Sequence, residues 1–148
     1  MTLYFAVSAV SAFFGAGAFA LLFHAPRRTI VPSCLIAALG YLLYVVLDAA
    51  GNGTVACYFL GGLVMSALCE LAARRMKTPA TVFLTSSLVT LVPGFDLFQI
   101  MLYLAQGDGS LAASHAMTAL QGVMAIAAAT AACTVVFRAV KPHARHTA

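Results

Sequence analysis

Five long apolar runs account for nearly the whole chain and place the strongest limit on its fold. They extend over Leu3–Phe23, Ile30–Leu47, Thr54–Ala73, Pro79–Ala105 and Leu111–Phe137. A helix needs about 20 residues to cross the ~30 Å hydrocarbon layer of a bilayer, and each run is near that length or longer. The runs lack the alternating pattern of an outer-membrane barrel strand. We therefore predict an all-α, polytopic membrane protein with five transmembrane helices.

The composition excludes the main alternative, which is a soluble globular domain. Of the 148 residues, 63% are hydrophobic and only 8% are charged, and the mean hydropathy is +1.00. A soluble domain of this size carries about 25% charged residues. The connections between the runs are short, so we predict a single transmembrane domain over residues 1–148.

The basic residues predict the orientation of the chain in the lipid bilayer. Lys and Arg in short loops stay on the cytoplasmic side, so the N-terminus is expected outside and the C-terminus inside. A cleaved secretory signal is the alternative interpretation of the first run, but "MTLYF" has no basic n-region. Topology explains these charges, so no nucleic-acid partner is predicted. All eight basic residues lie on one side: Arg27, Arg28, Arg74, Arg75, Lys77, Arg138, Lys141 and Arg145.

The fourth run contains the most informative interruption. As a straight helix, Pro79–Ala105 would be about 40 Å long, roughly 10 Å longer than the hydrocarbon layer. Pro93 lacks an amide hydrogen, and Gly94 can adopt backbone angles that other residues avoid. We predict two half-helices, about Thr81–Leu91 and about Phe95–Ala105, joined by irregular backbone. A re-entrant hairpin is rejected because it would carry the last basic residues to the outer face.

This broken helix supplies the candidate functional site. Irregular backbone at membrane depth survives only where it is packed in protein or lines a wet cavity, and transporters use it to bind solutes. Asp96 either caps its own half-helix or acts as a proton-coupling group, and the two roles are compatible. The nearby hydroxyls extend a polar path, or they bond back to their own helix. The candidate substrate or coupling pathway comprises Pro93, Gly94, Asp96, Gln99, Thr85, Ser86 and Thr90.

The remaining polar residues suggest structural roles. Glu70 precedes Arg74 by one helical turn, which predicts an ion pair at the cytoplasmic end of the third run. His24 and His115 lie near span ends, where structural or interfacial roles are expected. We predict neither a metal site nor a cofactor nor an enzyme, because no paired ligands or nucleophile with a base appear. The cysteines are interpreted as small packing residues: Cys34, Cys57, Cys69 and Cys133.

Two stretches of the sequence resemble a known family. The run "RRMKTPATVFLTSSLVTLVPGFDLFQIMLYLAQGD", together with "HAPRRTIVPSCLIAALGY" upstream, is similar to the small five-span subunit of the threonine/serine exporter family. That family also includes a two-component succinate exporter. The resemblance covers nearly the whole chain. Its most specific residues are Pro79, Leu91–Gly94, Phe98 and Met101.

The resemblance implies that the chain is one half of a transporter. Its partner would be a larger membrane subunit with a cytosolic region, and halves of opposite orientation would form an inverted repeat. The implied function is proton-driven export of threonine and serine, or of dicarboxylates such as succinate, across the bacterial cytoplasmic (inner) membrane. Family members commonly have an uncharged residue after Pro-Gly, and Asp96 departs from that pattern. An acidic group facing the pathway would repel a dicarboxylate and attract the ammonium of an amino acid, so it favours amino acids as substrates.

Two alternatives remain open at this point. A structural or assembly subunit, whose partner carries the whole pathway, would explain the many small residues of the spans equally well. Five helices alone form a thin bundle, so homo-oligomers could also complete a polar cavity.

Overall fold

The computed structural model describes residues 2–139, and this part of the chain is built of helices joined by short connections. The helices are α1 (Thr2–Leu22), α2 (Arg27–Ala49), α3 (Thr54–Met76), α4 (Ala80–Leu88), a 3-10 helix (Val89–Leu91), α5 (Gly94–Ala105) and α6 (Gly109–Ala139). Four of them are long and apolar enough to span a membrane, and the bent α4–α5 pair makes a fifth span. This confirms the predicted all-α, five-span architecture. The orientation stays a prediction, and two residues used for it, Lys141 and Arg145, lie outside the described range.

Helix α3 occupies the centre of the bundle. It packs against α2, α4 and α6, while α1 packs on α2 and α5 packs on α6. Helix α4 and the 3-10 helix lie against α1, α2 and α3, where Phe83 and Leu91 are fully buried beside Met65. The first half of the broken span is therefore central, and the second half is peripheral.

Small residues allow the long helices to approach closely. A Cβ added at Gly40 of α2 would lie 3.0 Å from the Cβ of Met65 in α3. A Cβ at Gly62 would lie 3.4 Å from the Cβ of Ala129 in α6. Close backbone approach through small side chains is the usual way in which helices associate in lipid. The buried face of α1 is of the same kind and contains Ser8, Ala12, Ala16 and Ala20.

The predicted break in the fourth span is confirmed. The axis bends by 49° between α4 and α5. Pro93, at φ −71° and ψ 66°, forms an inverse γ-turn in which the Gly94 amide donates to Val92 O at 2.7 Å. Val92 is extended at φ −59° and ψ 135°, as is usual before proline. Because 49° is far from a reversal, the two halves continue toward the same side, as in a broken span.

The contribution of Gly94 differs from the prediction. Its φ is not positive, and a Cβ added there would meet no atom within 4 Å. The break therefore follows from Pro93, and the conformational freedom of glycine is not used. The positive φ values of the described residues belong to connections between helices, at His24, Gly51, Lys77 and Gly107.

Candidate functional site

An acid–histidine pair lies immediately after the break. Asp96 is in the first turn of α5, and its Oδ1 lies 2.9 Å from Nδ1 of His115 in the second turn of α6. The ring N–H donates to the carboxylate, because an ionised carboxylate can only accept. The two side chains are only 15% and 27% exposed. No second salt bridge forms within residues 2–139, and this one joins Asp96 to a neighbouring helix.

Two further polar residues lie on the same face of α5. Asp96, Gln99 and Tyr103 follow one another at spacings of three and four residues, which places them along one side of a helix. The Tyr103 ring stacks on His115, with centroids 5.5 Å apart and an angle of 16° between the planes. Oε1 of Gln99 is buried and has no hydrogen-bond partner in the described part of the chain. A buried acceptor of this kind is a site where water or a solute can bind.

The direction of the bend brings this face to α6. Among the described helices α5 contacts α6 alone, and it has no buried residue of its own. Helix α4, by contrast, packs against α1, α2 and α3. The predicted site residues are consequently divided between two places in the bundle.

The hydroxyls upstream of the break do not join Asp96. Thr85, Ser86 and Thr90 each donate to a carbonyl oxygen three or four residues earlier, at 2.9, 3.1 and 2.7 Å. These are bonds back to their own helical segment, which is the alternative raised for them above. Ser86 is buried and Thr85 is exposed, so the hydroxyls do not form one continuous polar line.

A separate group of hydroxyls connects the central helices. Ser87 Oγ of α4 donates to the carbonyl oxygen of Ser33 in α2 at 3.1 Å. Oγ of Ser33 and Oγ of Ser66 in α3 are buried and lack a hydrogen-bond partner among the residues that the structure describes. All three residues have no exposed surface. The junction of α2, α3 and α4 therefore holds unused hydrogen-bonding capacity beside the first half of the broken span.

Protein covers one side of the break itself. Leu91 is 1% exposed and Pro93 is buried, whereas Gly94 is open. Thr90 borders a cavity of about 220 Å³ between α1 and α2, together with Ser11 and Tyr41. Pro93 thus packs against protein, whereas Val92 and Gly94 on either side of it are exposed, and the cavity reaches the span at Thr90, before the break.

The predicted pairing of Glu70 with Arg74 is not formed. Nη2 of Arg74 instead donates to the carbonyl oxygen of Phe137 in α6 at 2.6 Å. The guanidinium carbon also lies 4.8 Å from the centroid of the Phe137 ring. Arg74 therefore connects α3 to α6. All four cysteines are free and buried, as expected of packing residues.

His115 is the site residue that the sequence interpretation missed. An acidic residue inside an apolar run needs a compensating partner, and this rule indicates that a partner for Asp96 should be sought on a neighbouring helix. Counted along the helices, Asp96 lies about 14 Å and His115 about 9 Å from the connection between α5 and α6. Because Asp96 and His115 lie at similar depths, each is a candidate hydrogen-bond partner for the other. The choice of partner nevertheless depends on the direction of the bend at Pro93.

Comparisons with known proteins agree with this architecture. Residues 8–136 match the family model described as "Threonine/Serine exporter, ThrE". A probable threonine/serine exporter of Mycobacterium tuberculosis (strain ATCC 25618 / H37Rv) is 29% identical over 85 residues, which are 57% of this chain and 16% of that protein. No solved structure matches the chain. Since the family model covers most of its length, the chain belongs to the threonine/serine exporter family.

Proposed function

We propose that the chain is a subunit of a proton-driven secondary exporter in which the Asp96–His115 pair exchanges the coupling proton. Membership of an exporter family and the apolar helices support transport by a multi-pass membrane protein. The first candidate substrates are small amino acids such as threonine and serine, and the second are dicarboxylates such as succinate. The proposed location is the bacterial cytoplasmic membrane.

The Asp96–His115 pair is the observation that carries this proposal. Histidine is the side chain whose charge changes most readily in the physiological pH range. With the imidazole protonated the pair is neutral, and loss of that proton leaves one negative charge. The negative state attracts an ammonium group, and the neutral state favours its release. Such alternation is what the exchange of a proton for an amino acid requires. On α5 and α6 the other titratable residues described are Tyr103, Cys133 and Arg138.

We further propose that a larger membrane subunit of threonine/serine exporter type completes the pathway. The matched segment is only 16% of the M. tuberculosis relative, so that protein contains much that this chain lacks. Among the helices of residues 2–139, α5 contacts α6 alone, and it exposes Phe98 and Met101 on its surface. These features leave room for another protein beside the Asp96–His115 pair.

The test is gradient-driven efflux of L-threonine and of succinate from cells that contain the chain and its partner. We expect Asp96→Asn and His115→Gln to reduce efflux, normalised to subunit abundance, by about tenfold or more, because either change removes the alternation between a neutral and a negative pair. Asp108→Asn is the matched control, since Asp108 is exposed outside the site. Full efflux by both site variants would overturn the proton-coupling role.

A structural or assembly subunit is the second candidate function. The specific observation in its favour is that the hydroxyls of Thr85, Ser86 and Thr90 are all used within their own helical segment. In that case both site variants would export normally, while deletion of the chain would abolish efflux and destabilise the larger subunit. The same efflux experiment, combined with immunoblots of both subunits, separates the two functions.

A further inference from the structure

A second polar site lies far from the Asp96–His115 pair, at the end of the bundle that carries Arg138. A cavity of about 690 Å³ opens there, where α3 finishes and α4 begins, beside the last described turn of α6. Small-molecule pockets of proteins commonly measure about 300–1,000 Å³. The polar side chains lining the cavity are Glu70, Arg74, Lys77, Thr78, Thr134 and Arg138.

The charges of this lining favour an anionic group and also offer one anchor for a cation. Arg74, Lys77 and Arg138 contribute three positive charges, against one negative charge from Glu70. The bond to Phe137 uses one of the five N–H donors of Arg74 and holds its side chain in position. Glu70 forms no salt bridge with any residue in the range 2–139.

Uncharged groups at the same cavity also lack partners. Oγ1 of Thr78 has no exposed surface and no hydrogen-bond partner among residues 2–139. Helix α4 begins beside it, and its N-cap residue, Pro79, provides no side-chain cap. The first amides of α4, at Ala80 and Thr81, belong to residues that line the cavity. A carboxylate bound there would meet free amides and the partial positive charge of a helix N-terminus.

We infer that this cavity binds a small zwitterionic amino acid. Arg74 and Lys77 contact its carboxylate, and Glu70 contacts its ammonium group. The choice of ligand rests on the proposed function, because an exporter must take up its substrate at one end of the bundle. A dicarboxylate held in the same orientation would place its second carboxylate beside Glu70, where the two negative charges repel each other.

The binding test uses the full chain in nanodiscs of phosphatidylcholine, titrated calorimetrically with L-threonine, succinate or inorganic phosphate. We expect threonine to bind more tightly than succinate or phosphate. Lys77→Gln and Arg74→Gln should each weaken threonine binding about tenfold. Glu70→Gln should weaken threonine binding and strengthen succinate binding. Thermal unfolding of each variant shows whether the fold is intact, and Lys77→Gln and Glu70→Gln remove no side-chain hydrogen bond or salt bridge found within residues 2–139.

The matched control is Arg75→Gln. Arg75 is exposed and adjacent to Arg74 in the chain, but it does not line the cavity. Its loss should leave threonine binding unchanged within about twofold, because only the overall charge of that end changes. Equal weakening by Arg74→Gln and Arg75→Gln would overturn the inference, as would phosphate binding as tight as that of threonine. Complete loss of threonine binding when phosphatidylglycerol is added would assign the cavity to lipid headgroups.

Failure of this inference can be distinguished from failure of the proposed function. Threonine binding with the expected variant pattern, but without any efflux from cells, would retain the site and reject export. If efflux is normal but Lys77→Gln and Arg75→Gln weaken threonine binding equally, the export function is retained and the proposed binding site is rejected.

Discussion

Asp96 is placed in a segment where an isolated carboxylate is costly. Hydrocarbon offers no hydrogen bonds, so an ionised group there needs a partner of opposite charge or must be neutralised. His115 supplies both the hydrogen bond and the opposite charge when its ring is protonated. Helix α6, the one described helix that α5 contacts, thus provides the side chain that compensates the charge of Asp96. The position of α5 therefore depends on the contact between Asp96 and His115.

The energetic prediction at this scale is that Asp96 and His115 are coupled. Asp96→Asn and His115→Gln should each destabilise the protein by roughly 1–3 kcal/mol, because each leaves a mostly buried polar group without its partner. The double variant should lose less than the sum of the two, by roughly 1 kcal/mol. Unfolding in mixed micelles with increasing SDS measures all four proteins of the cycle.

The exposed hydrogen bond from Ser110 to Asp108, at 3.0 Å, is the control pair for this cycle. The effects of substituting Ser110 and Asp108 on the free energy of unfolding should be additive within about 0.5 kcal/mol, since water replaces the lost partner. If the effects at Asp96 and His115 were additive as well, the pair would have no energetic role in the fold.

At the scale of helices, two prolines have different effects. Pro32 lies inside α2, which continues to Ala49, whereas Pro93 ends one helical segment and precedes the next. Each proline removes the donor for the carbonyl four residues earlier. Near Pro93 that carbonyl, of Val89, accepts from the Val92 amide at 3.3 Å, so a tighter turn replaces the missing bond. Pro32 is close to the start of α2, where water at the membrane surface can satisfy the carbonyl.

We predict that Pro93→Ala straightens the fourth span. Alanine restores the amide and removes the ring that crowds the preceding turn. With halves of about 18 Å each, loss of the 49° bend lengthens the distance between spin labels at their far ends by about 3 Å. Pulsed electron paramagnetic resonance on labelled protein measures this distance. Pro32→Ala, with the same labels, should leave it unchanged, and an unchanged distance in Pro93→Ala would mean that packing alone bends the span.

The helices and the break could be predicted because both depend on local chemistry. Apolar length sets the spans, and the missing amide of Pro93 sets the interruption. The site could be predicted only in part, because its geometry depends on the direction of the bend. That direction sends Asp96 to His115 on α6 and leaves Thr85 and Ser86 with α4. The pairing of Glu70 with Arg74 failed for a similar reason, since Phe137 comes from a helix distant in sequence.

On the scale of the whole molecule, the two polar sites lie at opposite ends of the bundle. The Asp96–His115 pair is near the connection between α5 and α6, whereas the cavity of Arg74 and Lys77 lies beside Arg138, in the last described turn of α6. Transport through such a bundle needs one face for uptake and the other for release. The orientation predicted from the basic residues assigns uptake to the cavity end, because that end would face the cytoplasm.

This assignment makes a prediction about labelling. The native cysteines are buried, so a membrane-impermeant maleimide should react mainly with introduced exposed cysteines. Asp108→Cys and Arg75→Cys place one such residue at each end of the bundle. We expect Asp108→Cys to be labelled in intact cells and Arg75→Cys only after the cells are permeabilised. Labelling of Arg75→Cys in intact cells would contradict the predicted orientation, and the cavity would then be a site of release, since it would face the outside.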